Sequence, residues 1–231
     1  LGGKAPVIVC EDADIAEAAN AIAFGAFFNQ GQICMSTERV LVNEKVADQL
    51  ITHLKTKINS FVTGLPTEQV QIAHVISQKA ADRIMGMVKD AEDKGAKAIT
   101  GYTVNGTAIS PILLAGITSA MELYYEESFG PVCTLERVLN DEEAIDKANA
   151  SEFGLSSAVF SRDIGRAMDI AKRIESGICH INSATVNDEA PMPFGGVKAS
   201  GYGRFGSKAS INEFTELRWI TMRSAPKHYP I

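Results

Sequence analysis

The chain has 231 residues, of which 45% are hydrophobic, 22% charged and 7% aromatic. That length carries a sizeable core, as one large domain or two small ones, and the composition excludes an intrinsically disordered protein. No apolar run approaches the ~18 residues of a membrane span, and a formal net charge of −6 argues against a general nucleic-acid binder. The charge is uneven. Residues 198–231 hold six basic side chains against Glu213 and Glu216, net +4, and the rest carries −10. Such a basic tail reads as a solvated surface or as a docking surface inside an oligomer. It lacks the interleaved aromatic platforms of a nucleic-acid binder. The four cysteines (Cys10, Cys34, Cys133, Cys179) show no CxxC or CxxH spacing and are too sparse for a disulfide framework. With no signal peptide visible, this usage points to a reducing, cytoplasmic setting. The chain opens Leu1-Gly2-Gly3-Lys4 without an initiator Met, which reads as a piece of something longer.

Residues 6–10 predict a short buried strand. Asp14, with Glu17 three residues later, starts a helix that keeps apolar spacing through Ile15, Ala18, Ala19, Ile22, Ala23, Ala26 and Phe27 and stops near Gly31. Cys34 falls in the connection before a strand at 39–43. A long amphipathic helix is expected over 46–62, and another from Ser77 to about Lys94, closed by Gly95. Strands are expected at 97–100, 109–114 and 132–138. Asp141 is expected to cap a helix reaching Ala150. A strand at 157–161, a helix from Asp163 to Glu175 and a strand at 178–182 complete the alternation. This pattern predicts a three-layer α/β domain whose largely parallel, twisted sheet is flanked by helices. Residues 183–206 are rich in Gly, Pro and Ser and read as a long functional loop. Thr215–Met222 reads as a last strand that pairs outside the main sheet.

Chemistry has several candidates. Cys34 follows Asn29-Gln30-Gly31-Gln32-Ile33, where a thiol is open to a substrate and turn amides can hold an oxyanion; the alternative is a small buried core residue. Cys10, Cys133 and Cys179 sit in apolar runs and read as core. A Cys–His hydrolase needs an imidazole, yet His53, His74, His180 and His228 have no distinctive setting. Glu126, Glu127 and Glu216 are candidate acids for activating water, or solvated surface carboxylates. Glu126-Glu127-Ser128-Phe129-Gly130-Pro131 places a carboxylate and a ring together, suited to ribose hydroxyls and a flat heterocycle, or forms an ordinary loop. Residues 195–206 contain five glycines but match neither the P-loop nor the Rossmann fingerprint.

Taken together, four segments resemble the aldehyde dehydrogenase superfamily. They are Leu1-Gly2-Gly3-Lys4 with Pro6, Phe28–Cys34, Glu126–Val132 and Pro193–Lys198, in order and register along nearly all 231 residues. The resemblance covers the family's catalytic half plus its terminal segment. It implies a catalytic domain over 1–206, and over 207–231 a C-terminal segment whose strand near Arg218–Met222 joins an oligomerisation sheet in a homo-dimer or tetramer. It implies that Cys34 attacks an aldehyde to give a thiohemiacetal, that NAD or NADP accepts hydride, and that water hydrolyses the thioester. Glu127 would bind the nicotinamide ribose and Phe129 would pack near the nicotinamide. Glu216 resembles a second acid in proton relay, and Asn182 a strand-end asparagine near the active site. The backbone N–H of Cys34 would form one arm of an oxyanion hole. Ile33, Met35 and the loop 184–192, with Phe194, would line the aldehyde pocket. Cys34–Arg39 and Asp188–Arg204 look most like the salicylaldehyde- and vanillin-type members, which oxidise aromatic aldehydes.

The resemblance also implies departures. The family's general-base glutamate immediately precedes Leu-Gly-Gly-Lys, and the oxyanion-hole asparagine and most of the cofactor domain lie further upstream. A chain with these bounds is therefore expected to show little or no dehydrogenase activity alone. Two alternatives stand beside this reading: a relative that passes the acyl group to coenzyme A, and a non-catalytic protein keeping the fold for assembly.

Overall fold

A computed structural model describes residues 2–231; Leu1, the first residue of the Leu-Gly-Gly-Lys stretch, lies outside the described residues. The chain runs β1 (Ala5–Val9), α1 (Ile15–Phe27), a 3-10 turn (Phe28–Gly31), β2 (Thr37–Asn43), α2 (Glu44–Asn59), α3 (Gln78–Asp93) and β3 (Lys97–Ala98). Next come β4 (Val104–Asn105), β5 (Ala108–Ile109), β6 (Ile112–Ala115), α4 (Glu122–Tyr125), β7 (Val132–Val138), α5 (Asp141–Asn149), β8 (Phe153–Gly154) and β9 (Ser156–Phe160). It closes with α6 (Ile164–Ala171), β10 (Ile178–Ile181), β11 (Val197–Lys198) and α7 (Ser207–Glu213). Seven strands form one sheet in the order β10-β9-β1-β2-β7-β6-β3, parallel throughout except for the β3–β6 pair.

Central strands are buried on both faces, so they read as continuous apolar runs rather than alternating ones. Val7, Val9, Val40, Val42, Cys133 and Leu135 pack under α1 and α2. Ile8, Leu41, Val138 and Val159 turn to the opposite face and pack under α5 and α6, while Ile112, Leu114 and Val132 pack under α3. The expected three layers are present. The Asp14 side chain accepts the Glu17 N–H at 3.2 Å, and α1 buries its predicted apolar stripe.

Several expectations shift. α5 is capped by Asn140, whose side chain accepts the Glu143 N–H at 3.0 Å, and not by Asp141. The helix begun at Asp163 ends at Ala171, short of Glu175. The long 183–206 loop contains β11, which pairs antiparallel with β8 (Val197↔Gly154, Lys198↔Phe153). Residues 215–222 are irregular and exposed rather than a strand. A strand needs a ladder partner, and this segment has none among the described residues.

Candidate active site

The four matching segments meet at the amino ends of β1, β2 and β7, where each enters the sheet. Open parallel sheets usually gather ligands at the carboxyl ends, so this site is built by loop contacts rather than by a strand switch point. The contacts are backbone against backbone. A Cβ on Gly3 would lie 2.0 Å from the Cys34 carbonyl oxygen. A Cβ on Gly31 would lie 2.1 Å from the Gly130 carbonyl oxygen, and Gly31 has φ +68°. The fourth segment is tied in by Ser200, two residues beyond it, whose hydroxyl donates to the Gly2 carbonyl at 2.7 Å and accepts the Gly154 N–H at 3.0 Å.

The turn before Cys34 is strained. Asn29 (φ 51°) and Gln30 (φ 57°) precede Gly31, giving three consecutive left-handed residues, a run that L-residues normally avoid. It redirects the chain out of α1 so that Cys34 sits half-buried before β2. The Cys34 N–H has no backbone acceptor among the described residues. Burial pushes the Cys34 thiol above its ordinary value, and the Glu127 carboxylate pushes it further; the amides of Cys34 and Met35 pull the other way.

Glu127 lies beside this group. Its Oε1 accepts the Gly3 N–H at 2.8 Å, and no protein donor reaches Oε2 among the described residues. Burial raises its carboxyl above the usual range and the Gly3 N–H opposes that; the Glu38 charge raises it further, while Lys4 and Arg83 lower it. Phe129, two residues on, is 36% exposed with φ 46°.

Cys34 opens into a cleft of about 490 Å³ walled by Leu155, Phe194, Tyr202, Arg204 and Phe205. Phe194 and Phe205 are tilted rings 5.0 Å apart, joined by a two-way backbone bridge. The other expected pocket residues are distributed differently. Met35 is buried and Ile33 half-buried beside Cys34, and neither lines the cleft. Asn182 has φ 54°, and its amide clamps Ser161, accepting that residue's N–H at 3.0 Å and donating to its carbonyl at 2.9 Å. In the 184–192 loop, Asn187, Asp188, Glu189 and Met192 line a separate pocket of about 290 Å³, with Cys179 and His180 on the edge strand β10. Phe194 borders both. Glu216 stands exposed in the tail after α7 with no hydrogen bond among the described residues, whereas Glu213, three residues earlier, lines the cleft. Among the described residues no histidine lines the cleft, so the structure offers Cys34 no imidazole base.

Two residues that sequence reasoning passed over organise the site. Lys4 and Glu38 form a buried ion pair (Nζ to Oε2, 2.6 Å) with side chains 0% and 5% exposed. Their only sequence signal is position: Lys4 follows the Gly-Gly pair, and Glu38 lies four residues after Cys34.

The sequence pattern of the aldehyde dehydrogenase family matches residues 1–220. The chain is 53% identical to the vanillin dehydrogenase of Pseudomonas fluorescens over 232 residues, covering all of this chain and 48% of that protein. It is 45% identical, over the same shares, to a salicylaldehyde dehydrogenase of Pseudomonas putida. The crystal structure of a salicylaldehyde dehydrogenase from Pseudomonas putida G7, complexed with salicylaldehyde, superposes with a TM-score of 0.94 at 46% identity, over all of this chain and 48% of that one. The chain thus spans about half the length of these relatives. With the match running through Gly3, Cys34, Glu127 and Phe194 alike, the chain belongs to the aldehyde dehydrogenase family.

Proposed function

We propose that this chain forms the catalytic half of an NAD(P)+-dependent dehydrogenase that oxidises an aromatic aldehyde to its carboxylic acid, with Cys34 as nucleophile. The observation that carries this is a thiol lining an open 490 Å³ cleft, with the Cys34 and Met35 amides at the sulfur and a half-buried carboxylate beside it. The substrate class draws on the names of the vanillin and salicylaldehyde relatives, and on the paired rings of Phe194 and Phe205, which suit a flat substrate.

The Cys34 thiol gives its proton to solvent water and its sulfur adds to the carbonyl carbon. The carbonyl oxygen becomes an oxyanion in reach of the Cys34 N–H. Once the thiohemiacetal is oxidised, the acyl group sits on Cys34 as a thioester, and water releases the acid and the free thiol. A nicotinamide nucleotide supplies the hydride acceptor when bound. This chain's residues fit it: Glu127 Oε2 is free to accept ribose hydroxyls, and the exposed Phe129 ring offers an apolar face next to it. Solved relatives include a glyceraldehyde-3-phosphate dehydrogenase of Bacillus halodurans C-125 complexed with NADP, at 41% identity and a TM-score of 0.88 over 91% of this chain and 44% of that one. Glu216 would reach the cleft as a relay acid only if the tail moved inward from its exposed course; Glu213 already stands there. All four cysteines are free, which suits a reducing, cytoplasmic setting. No helix among the described residues is long and apolar enough to cross a membrane.

The test is reduced-nucleotide formation from vanillin, salicylaldehyde and benzaldehyde by the protein that carries this chain. Cys34→Ala should lower the rate by about a thousandfold or more. Equal rates in the Cys34→Ala variant would contradict the assignment.

The tail supports the oligomer. Leu217, Trp219, Ile220 and Met222 are each at least 71% exposed on an irregular segment, and β10 is an unpaired sheet edge. Pairing between copies would cover both. Deleting 215–231 should leave a monomer by light scattering where the intact protein is a dimer or tetramer; an unchanged mass would exclude the tail from assembly.

A further inference from the structure

We propose that Glu38 is a positioning residue for the 126–129 loop, holding Glu127 and Phe129 in register with Cys34 through a fully buried hydrogen-bond hub. The inference rests on reading Cys34 and Glu127 as the working pair of the site.

Five of the eight backbone polar groups of this loop are held by side chains from elsewhere in the fold. Glu38 Oε1 accepts three hydrogen bonds: the Ser128 N–H at 2.7 Å, the Ser128 hydroxyl at 2.8 Å and the Phe129 N–H at 3.2 Å. Its Oε2 accepts Lys4 Nζ, and the same ammonium donates to the Glu126 carbonyl at 2.7 Å. From the outer side, Arg83 on α3 donates to the Glu127 carbonyl at 3.0 Å and the Ser128 carbonyl at 2.5 Å. The Thr134 hydroxyl fixes the Glu38 backbone carbonyl at 3.0 Å.

This is more than the loop needs to stay folded. A four-residue loop on a protein surface satisfies its carbonyls with water at little cost. Here a carboxylate has been taken out of solvent and given one ammonium and three donors, an arrangement worth its desolvation only when each partner is in place. The result is a loop held in an uncommon conformation, with Phe129 at φ 46°, and a Glu127 side chain aimed back at the Gly3 N–H and the Cys34 thiol. Glu38 also lies on the strand that begins three residues after Cys34. The carboxylate that sets the loop and the thiol that the loop serves are therefore placed by one stretch of backbone, and a displacement of β2 would carry both together. Glu38 itself has no access to the cleft. Its effect on chemistry must pass through Glu127 and Phe129.

The test is a double-mutant cycle read on the Cys34 thiol in the chain as it stands. Iodoacetamide labelling is followed by mass spectrometry at pH 8 in the parent, Glu38→Gln, Glu127→Gln and the double variant. Among the described residues, Glu127 is the one charged neighbour that burdens the Cys34 thiolate. Glu127→Gln should therefore speed labelling, by about threefold or more. Glu38→Gln turns an amide N–H toward Lys4, loosens the loop and lets Glu127 drift from Cys34, so it should speed labelling by a similar factor. In the Glu127→Gln background it should then add less than about twofold, because the charge whose position it controlled is gone. A fold-supporting role alone gives no such coupling.

Cys10 and Cys133, both deeply buried, report the fold in every variant by staying unlabelled. If Glu38→Gln exposes them, Ser128→Ala replaces it in the cycle, since it removes one bond to Glu38 and keeps the backbone N–H. Equal factors for the hub variant in both backgrounds, or no effect in either, would overturn the inference. A parent in which Cys34 labels no faster than Cys10 and Cys133 would instead overturn the reading of Cys34 beneath it.

Discussion

Gly3→Ala is expected to dismantle the Cys34 site and to destabilise the fold by about 3 kcal/mol or more. The added Cβ would stand 2.0 Å from the Cys34 carbonyl oxygen, a backbone atom that cannot swing aside. Neither partner can retreat. Gly3 donates its N–H to Glu127 and leads directly into the central strand β1, paired on both sides. Cys34 is held from behind by the left-handed turn over Asn29–Gly31, which is itself pressed against Gly130. Relief would have to come from sliding β1 against β2 or from unwinding the turn, and either move separates Glu127 from the thiol. Urea unfolding measures the first effect and labelling of Cys34 the second. A Gly3→Ala protein within about 1 kcal/mol of the parent, with unchanged Cys34 labelling, would show that the close approach is not a constraint.

Lys4→Met is expected to cost about 3–5 kcal/mol, because it strands a buried carboxylate without its counter-charge. Met fills much of the space of the lysine stem, so the loss is electrostatic rather than a cavity. It also orphans the Glu126 carbonyl, which Lys4 holds at 2.7 Å. Lys4→Met combined with Glu38→Gln should recover part of the loss. The neutral amide keeps an acceptor for Ser128 and no longer needs a cation. Full recovery is not expected, since a single amide oxygen replaces a carboxylate that served four donors. Equilibrium unfolding of the three variants checks the order. A Lys4→Met protein as stable as the parent would mean that Glu38 is neutralised some other way.

The distribution of these constraints explains what a reader of the sequence can and cannot see. The start and the buried stripe of helix α1 were legible, because the Asp14 cap and the 3.6-residue spacing are local signals, but the helix ends at Phe27 and a 3-10 turn covers the rest of the way to the expected stop near Gly31. The parallel sheet followed from the alternation of apolar runs and amphipathic helices. The candidate site residues came through motifs, but the contacts between their segments did not. Gly3 and Cys34 are 31 positions apart, and Glu127 lies 124 positions from Gly3. Nothing in the local pattern of either states that their backbones touch. Lys4 and Glu38 were invisible for a related reason: a buried ion pair looks, in sequence, like two ordinary polar residues in different segments. The β8–β11 ladder was hidden because two-residue strands carry no periodicity. The expected tail strand is not formed among the described residues, where 215–222 have no pairing partner. Glu216 was reached through its motif, while it is Glu213, at the end of α7, that lines the cleft. The 184–192 loop was rightly read as irregular, but most of its pocket-lining side chains face the 290 Å³ cavity at the β10 edge rather than Cys34.

The role of Cys34 as the accessible nucleophile is tested most directly by the labelling rate of each of the four cysteines across pH 7–10. Burial raises all four thiols: Cys10 is pushed up to about 12, Cys133 rises because it is wholly buried, and Cys179 rises with a Ser157 hydrogen bond opposing it. Cys34 alone opens into the 490 Å³ cleft. It should label first at every pH, with a rate that climbs as pH rises and levels off only above the ordinary thiol range. Cys179, which lines the smaller pocket, is the rival. If Cys179 labels ahead of Cys34, or if Cys34 labels no faster than Cys10 and Cys133, then Cys34 is not the exposed nucleophile of this fold.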